Sequence, residues 1–240
     1  VAEEAELVTP VVVSSAAQSK LLPFSFLETQ LYDKMSKLLT SYMPAADIRY
    51  MISEIKSDLF AGFTKIDSKQ LHTVIHHCKK CPNVSGSPIL PSWNCTDPDL
   101  MIIVESPTII ERYGSFLFNA LKQTGFSSNR CVLTYVTRCK VKELTQQNVD
   151  SCLPYLHTEL PILNPKVIMP LGLSVFQFLT GDINSKLNEI KGIVRSWGTY
   201  SIIPEVSLGT LYHANEKGQG AYDAFVASLE KTYNYLYLGG

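Results

Sequence analysis

The chain has 240 residues, 45% of them hydrophobic and 18% charged, with a formal net charge of −1. That length allows one sizeable core or a core with a small appendage, and the composition excludes a disordered chain. A charge so near zero excludes global attraction to phosphate, so a nucleic-acid surface has to be a local patch, and no apolar run approaches the roughly 18 residues of a membrane span.

Val1-Ala2-Glu3-Glu4 lacks the basic start of a secretory signal, so an intracellular protein is expected. The missing initiator Met suggests a chain trimmed or excised from a longer polypeptide. Residues 1–20 are rich in Ala, Ser and Val without period and read as a flexible arm. Residues 21–69 read as a helical N-terminal extension: Leu27, Leu31, Met35, Leu38 and Leu39 recur at helical spacing, as do Ile48, Met51, Ile52, Ile55 and Leu59. These helices are expected to pack on the core or to offer a docking surface. Cys78-Lys79-Lys80-Cys81 comes next, a pairing that grips a metal from one tight turn. A redox dithiol is the rival reading, but it would open a helix after a strand, and this pair follows a helix.

Residues 70–240 form the main domain. The unbroken apolar run 100–104 is a buried strand, 131–136 a second, 167–171 a third and 207–212 a weaker fourth. Helical patterns at 116–124, 146–160 and 173–179 separate them, and a helix over 221–237 closes the domain. Such alternation implies an α/β fold with parallel strands joined by crossover helices. Ligands then bind at the carboxyl ends of the strands, which here carry Glu105-Ser106-Pro107, Thr137-Arg138-Cys139, Gly172 and His213.

The order of motifs is informative. Cys78-x-x-Cys81 precedes a strand ending Val104-Glu105-Ser106-Pro107. A strand running into Tyr135-Val136-Thr137-Arg138-Cys139 is next, with Cys152 thirteen residues later. Asn164-Pro165-Lys166-Val167-Ile168-Met169-Pro170-Leu171-Gly172, Glu189-Ile190-Lys191-Gly192 and Leu211-Tyr212-His213 complete the set. Over roughly residues 70 to 236 this resembles the family 4 (iron–sulfur) uracil-DNA glycosylases and their relatives. Those relatives include glycosylase-like domains attached to or encoded beside some phage DNA polymerases.

The resemblance implies a three-layer α/β/α fold around a four-stranded parallel sheet. It also implies a chiefly structural [4Fe–4S] cluster on Cys78, Cys81, Cys139 and Cys152. Four thiolates suit such a cluster or zinc; ligand count does not decide, and the family match favours iron. Cys95 and Cys131 match no ligand position and read as ordinary buried thiols. A cytoplasmic protein is expected, in the host cytoplasm if viral. DNA is the expected partner, with a DNA polymerase or other replication protein on the N-terminal helices and no membrane.

Base excision needs a flipped base, a pocket that reads its edge, and charge stabilisation as the glycosidic bond breaks. Glu105 and Pro107 match the family's Gly-Glu-x-Pro-Gly loop, with Ser106 between them. Glu111 falls on an acidic position where a carboxylate orients water; alternatively it is a solvated first-turn helix residue. His213 falls on the family's His-Pro-Ser/Ala motif, which donates to the base carbonyl. The departures are as informative. The glycine-rich segment whose Phe stacks on the base is missing, and Tyr113-Gly114-Ser115 comes almost at once. Tyr135 stands where an Asn pairs with uracil, and a phenol lacks the amide's paired donor and acceptor. Ala214 replaces the Pro. A strip of Lys79, Lys80, Arg138, Lys140 and Lys142 is expected to meet DNA phosphates, or else to be a solvated surface. Three functions are compatible with these residues: a DNA-binding or docking module with a rebuilt pocket, an active glycosylase for uracil or an altered base, or a DNA pyrimidine-modifying enzyme.

Overall fold

The computed structural model describes residues 68–81, 87–90, 95, 97–141 and 144–238. The expected arm, nearly all of the helical extension, and Lys142 lie outside the described residues. The first described helix, Ser68–His76 (α1), ends two residues before Cys78, so the cysteine pair does follow a helix.

A strand covered on both faces needs a continuous apolar run. Leu100–Val104 (β1) is buried at every position. Cys131–Tyr135 (β2) and Val167–Pro170 (β3) flank it in parallel, with Leu100 opposite both Cys131 and Val167. Arg195–Trp197 (β4) and Tyr200–Ile202 (β5) complete a sheet of order β2-β1-β3-β5-β4, in which β5 runs parallel to β3 and β4 is an antiparallel edge. The four parallel strands expected are present, but the fourth is β5. The stretch 207–212 is instead the start of a helix.

The helices are Pro107–Gln123 (α2), Gln146–Leu163 (α3), Leu173–Thr180 (α4), Leu187–Ile190 (α5), Leu208–Glu216 (α6) and Ala221–Tyr237 (α7). Alternate residues of β1 feed two cores. Leu100, Ile102 and Val104 pack with Leu117 of α2, Leu208 of α6 and Phe225 of α7. Met101 and Ile103 pack with Leu156 and Leu160 of α3 and Phe176 of α4. Each such side chain contributes roughly 1.5–3 kcal/mol on burial, and the result is three layers.

Local chemistry sets the helix ends. Ser106 and Pro107 turn β1 into α2, the proline standing where its missing N–H costs nothing. Thr145 caps α3 by accepting from the Asn148 N–H at 3.3 Å, and Ser207 caps α6 by accepting from the Thr210 N–H at 3.3 Å. Gly172, at φ 121°, lets the end of β3 pass close to that second cap: a Cβ there would lie 3.3 Å from the Cβ of Ser207. At the opposite end of the sheet, buried Asp99 accepts from Arg130 at 2.7 and 2.6 Å and from the Tyr237 hydroxyl, and pairs with Lys166 at 2.8 Å.

Candidate functional site

Parallel strands deliver Glu105, Leu171 and Ser207 to one end of the sheet, and α2 and α6 rise on either side of them. Between these helices lies a cleft of about 550 Å³, with Glu105 on its floor side and Tyr113 and His213 on its walls. Burial pushes the Glu105 carboxyl up from its ordinary value. Tyr113 and His213 meet through the phenol oxygen and Nε2 at 3.1 Å, and His213 Nδ1 meets Glu216 Oε2 at 3.1 Å. An ionised Glu216 only accepts, so Nδ1 carries a proton, and in the neutral imidazole Nε2 then accepts from the Tyr113 hydroxyl. The arrangement is a Tyr–His–Glu chain whose Tyr and His line one cleft with a partly desolvated carboxylate. Chemically it can hold or move a proton within a cleft open to solvent.

Several expected site residues lie elsewhere. His213 sits inside α6, not at the end of a strand; the first residue after β5 to line the cleft is Ser207, five positions beyond Ile202. Glu111 lies on α2 outside the cleft lining, where it pairs with Lys140, both side chains about half exposed at 50% and 47%. Exposed pairs of this kind contribute about 0–1 kcal/mol. Ser106 and Pro107 are buried and serve the strand-to-helix turn. Tyr135, the last residue of β2 and opposite Val104, is 7% exposed and belongs to the apolar core, where burial pushes its phenol up. It fills the interior and is absent from the cleft lining.

The DNA strip needs a correction. Arg138 is 1% exposed and ion-paired to Glu159, so it cannot meet a phosphate. A charge next to cysteines in sequence reads as surface; here the chain turns inward. Lys79, Lys80 and Lys140 remain exposed, with Lys80 Nζ 4.9 Å from the Tyr155 ring centre. Arg112, Lys217 and Tyr113 also reach the cleft, and no sequence motif marks them as site residues. The Ser106-Pro107 helix start is the signal available, since it places 109, 112 and 113 on one helical face.

Cys139 and Cys152 are buried and Cys78 and Cys81 half-buried. Burial pushes the Cys139 thiol up, and Cys81 and Cys78 nearby add to it. Burial likewise takes Cys152 to about 11; Cys81 and Cys139 add, while the backbone N–H and the charge of Arg138 oppose. Tyr155, raised by burial, also hydrogen-bonds Cys78 and feels Cys152 and Cys81. The four sulfurs therefore share one neighbourhood, between α1, the segment after β2 and α3. Among the described residues, no three His, Cys, Asp or Glu side chains are gathered tightly enough to hold a single metal ion. Four thiols in one neighbourhood are a donor set that suits an iron–sulfur cluster or zinc. Cys95 and Cys131 are half-buried rather than buried; burial raises both thiols, Cys131 to about 12 with Cys95 adding to it.

Residues 91–230 match the family model of the uracil DNA glycosylase superfamily. The chain belongs to that superfamily. Its relatives include the type-4 uracil-DNA glycosylase of Pyrobaculum aerophilum, 29% identical over an alignment of 143 residues that covers 53% of this chain and 73% of the relative. Within this glycosylase superfamily member, Cys139, Cys152 and the whole cleft fall inside the matched span, whereas Cys78 and Cys81 precede it. No helix among the described residues is long and apolar enough to cross a membrane.

Proposed function

We propose that this superfamily member is a DNA-binding or docking module of replication or repair with a rebuilt base pocket, carries a [4Fe–4S] cluster on Cys78, Cys81, Cys139 and Cys152, and does not excise uracil at the rate of a type 4 enzyme. The observation that carries the reading is the fate of the two base-pocket positions. Tyr135 is packed into the core, and Glu111 lies outside the cleft lining, paired with Lys140 at the surface. A site built to pair a polar base edge loses about 10⁴-fold in discrimination when that pairing is missing. The cluster's role is to pin the segments that carry its four cysteines; the iron supplies bonding, and the chain supplies four thiolates and a buried shell. Lys79, Lys80 and Lys140 are the candidate phosphate contacts. The helical extension at 21–69 is the candidate docking element for a replication protein.

A second reading has an observation of its own: Glu105, partly desolvated, lines one cleft with Tyr113 and His213, and Glu216 holds His213 from outside the lining. A carboxylate so placed suits water orientation beside a different flipped base, for excision or for modification of a pyrimidine. The test is to incubate the protein with single- and double-stranded oligonucleotides carrying uracil or modified pyrimidines. Binding without abasic sites supports the first reading. Abasic sites abolished by Glu105→Gln support the second. Robust uracil excision abolished by Glu111→Gln overturns the pocket reading.

A further inference from the structure

The Arg138–Glu159 pair is chemically incomplete. Both side chains are buried, at 1% and 0% exposure. One guanidinium nitrogen of Arg138 donates to Thr134 Oγ1 at 2.5 Å, the other donates to Glu159, and the Thr134 hydroxyl donates to the same carboxylate at 2.7 Å. The third donor group, Nε–H, is fully buried and has no acceptor among the described residues. A buried donor left without a partner costs about 1–3 kcal/mol, and more on a charged group, so the position calls for an acceptor that the side chains around it do not supply.

Its location says what kind. Arg138 immediately precedes Cys139, and Glu159 lies seven residues beyond Cys152 on α3. Seven residues are two helical turns, so Glu159 and Cys152 share a face. The ion pair thus ties together the two segments that deliver the two buried cysteines. The Arg138 backbone N–H also points at Cys152. A cysteine-ligated cluster is anionic and offers sulfur acceptors, and hydrogen bonds to those sulfurs set its potential.

We propose that Arg138 is the charge-compensating residue of the iron–sulfur centre, its Nε–H donating to an inorganic sulfur of the cluster while Thr134 and Glu159 hold the guanidinium in place. This rests on the cluster reading above. Arg138 favours the reduced, more negative state of the centre, and Glu159 moderates that effect by placing a carboxylate behind it. The two residues therefore act on the potential with opposite signs.

The experiment uses the full chain purified anaerobically, with Arg138→Lys and Glu159→Gln. Lysine keeps the charge and a partner for Glu159 but has no Nε–H of this geometry. Iron and sulfide content of the parent protein is measured first: a parent without iron overturns the cluster reading and this proposal with it. With iron present, Arg138→Lys should make reduction several-fold less favourable and Glu159→Gln several-fold more favourable, read by spectroelectrochemical titration. A tenfold change corresponds to about 59 mV for one electron. The iron–sulfur stretching frequencies should shift in the lysine variant as well, a readout available even if the centre is hard to reduce. Variants that keep iron with potentials and frequencies equal to the parent's, or potentials that move in the same direction, overturn the proposal while leaving the cluster standing. Melting temperatures of both variants separate a loss of fold from a change at the centre.

Discussion

Replacing Asp99 by Asn probes the end of the sheet opposite the cleft. The carboxylate is fully buried and is met by Arg130, Lys166 and Tyr237. An amide keeps the shape but removes the charge and turns two of its own N–H groups toward existing donors. Breaking one side of a buried charged group costs about 3–5 kcal/mol. Arg130 and Lys166 are 46% and 55% exposed, so water re-solvates the cations left behind. That brings the expected loss to about 2–3 kcal/mol, or roughly 4–12 °C in melting temperature for a domain of this size. The loss also has a pH signature. Burial alone would raise this carboxyl, but the hydrogen bonds from Arg130, Lys166 and Tyr237 override it and hold the group well below the usual carboxylate range. A depressed folded value means that the unfolded chain takes up the proton first. The stabilisation is complete above the unfolded value of about 3.9 and is lost as pH falls from there through the folded value. Thermal melts of parent and variant from about pH 7 to about pH 2 should show a gap that is constant at neutral pH and closes in acid. A gap under about 1 °C, or one that widens in acid, refutes the reasoning.

Anaerobically purified protein should be brown, with broad absorption near roughly 400 nm, and Cys139→Ser should lose colour and folded yield together; a colourless protein with stoichiometric zinc would retire the iron. Changing Lys79 and Lys80 to Glu should weaken DNA binding on every sequence and lower the salt slope by about 2, measured by titration at several salt concentrations. Tyr135→Asn should melt lower, by roughly 2–4 kcal/mol of stability for a lost buried aromatic, without gaining uracil excision in an abasic-site assay.

The strands at 100–104, 131–135 and 167–170 are legible in the sequence because burial on both faces leaves nothing but apolar side chains, and such runs stand out. The segment 207–212 misleads because it is too short for its period to stand out, although Leu208, Leu211 and Tyr212 fall at i, i+3 and i+4, the helical spacing. What decides it is Ser207 accepting from the Thr210 N–H, a cap that any strand reading ignores. The strand that belongs there, Tyr200–Ile202, is three residues long, too short for a period to register. The Cys78–Cys81 pair stands out by its spacing, whereas Cys139 and Cys152 join it only through the family resemblance. The burial of Arg138 is not, since sequence shows its charge but not Glu159, which reaches it from 21 residues away. The cleft itself is half visible: Glu105 and His213 stand in recognisable motifs, while Tyr113 borders a missing segment and belongs to no motif of its own.

The bond between Tyr237 and Asp99 joins residues 138 positions apart. During synthesis at about 5–20 residues per second, roughly 7–28 seconds pass after Asp99 is made before its last partner exists. Arg130 and Lys166 arrive sooner and hold the carboxylate meanwhile. Phe116 and the β1 face beneath it, however, wait for Phe225 and the rest of α7 to cover them. A nascent chain stalled short of that helix would therefore present a core only partly covered by α2 and α6, which is the form a ribosome-associated chaperone would recognise and a protease would clear.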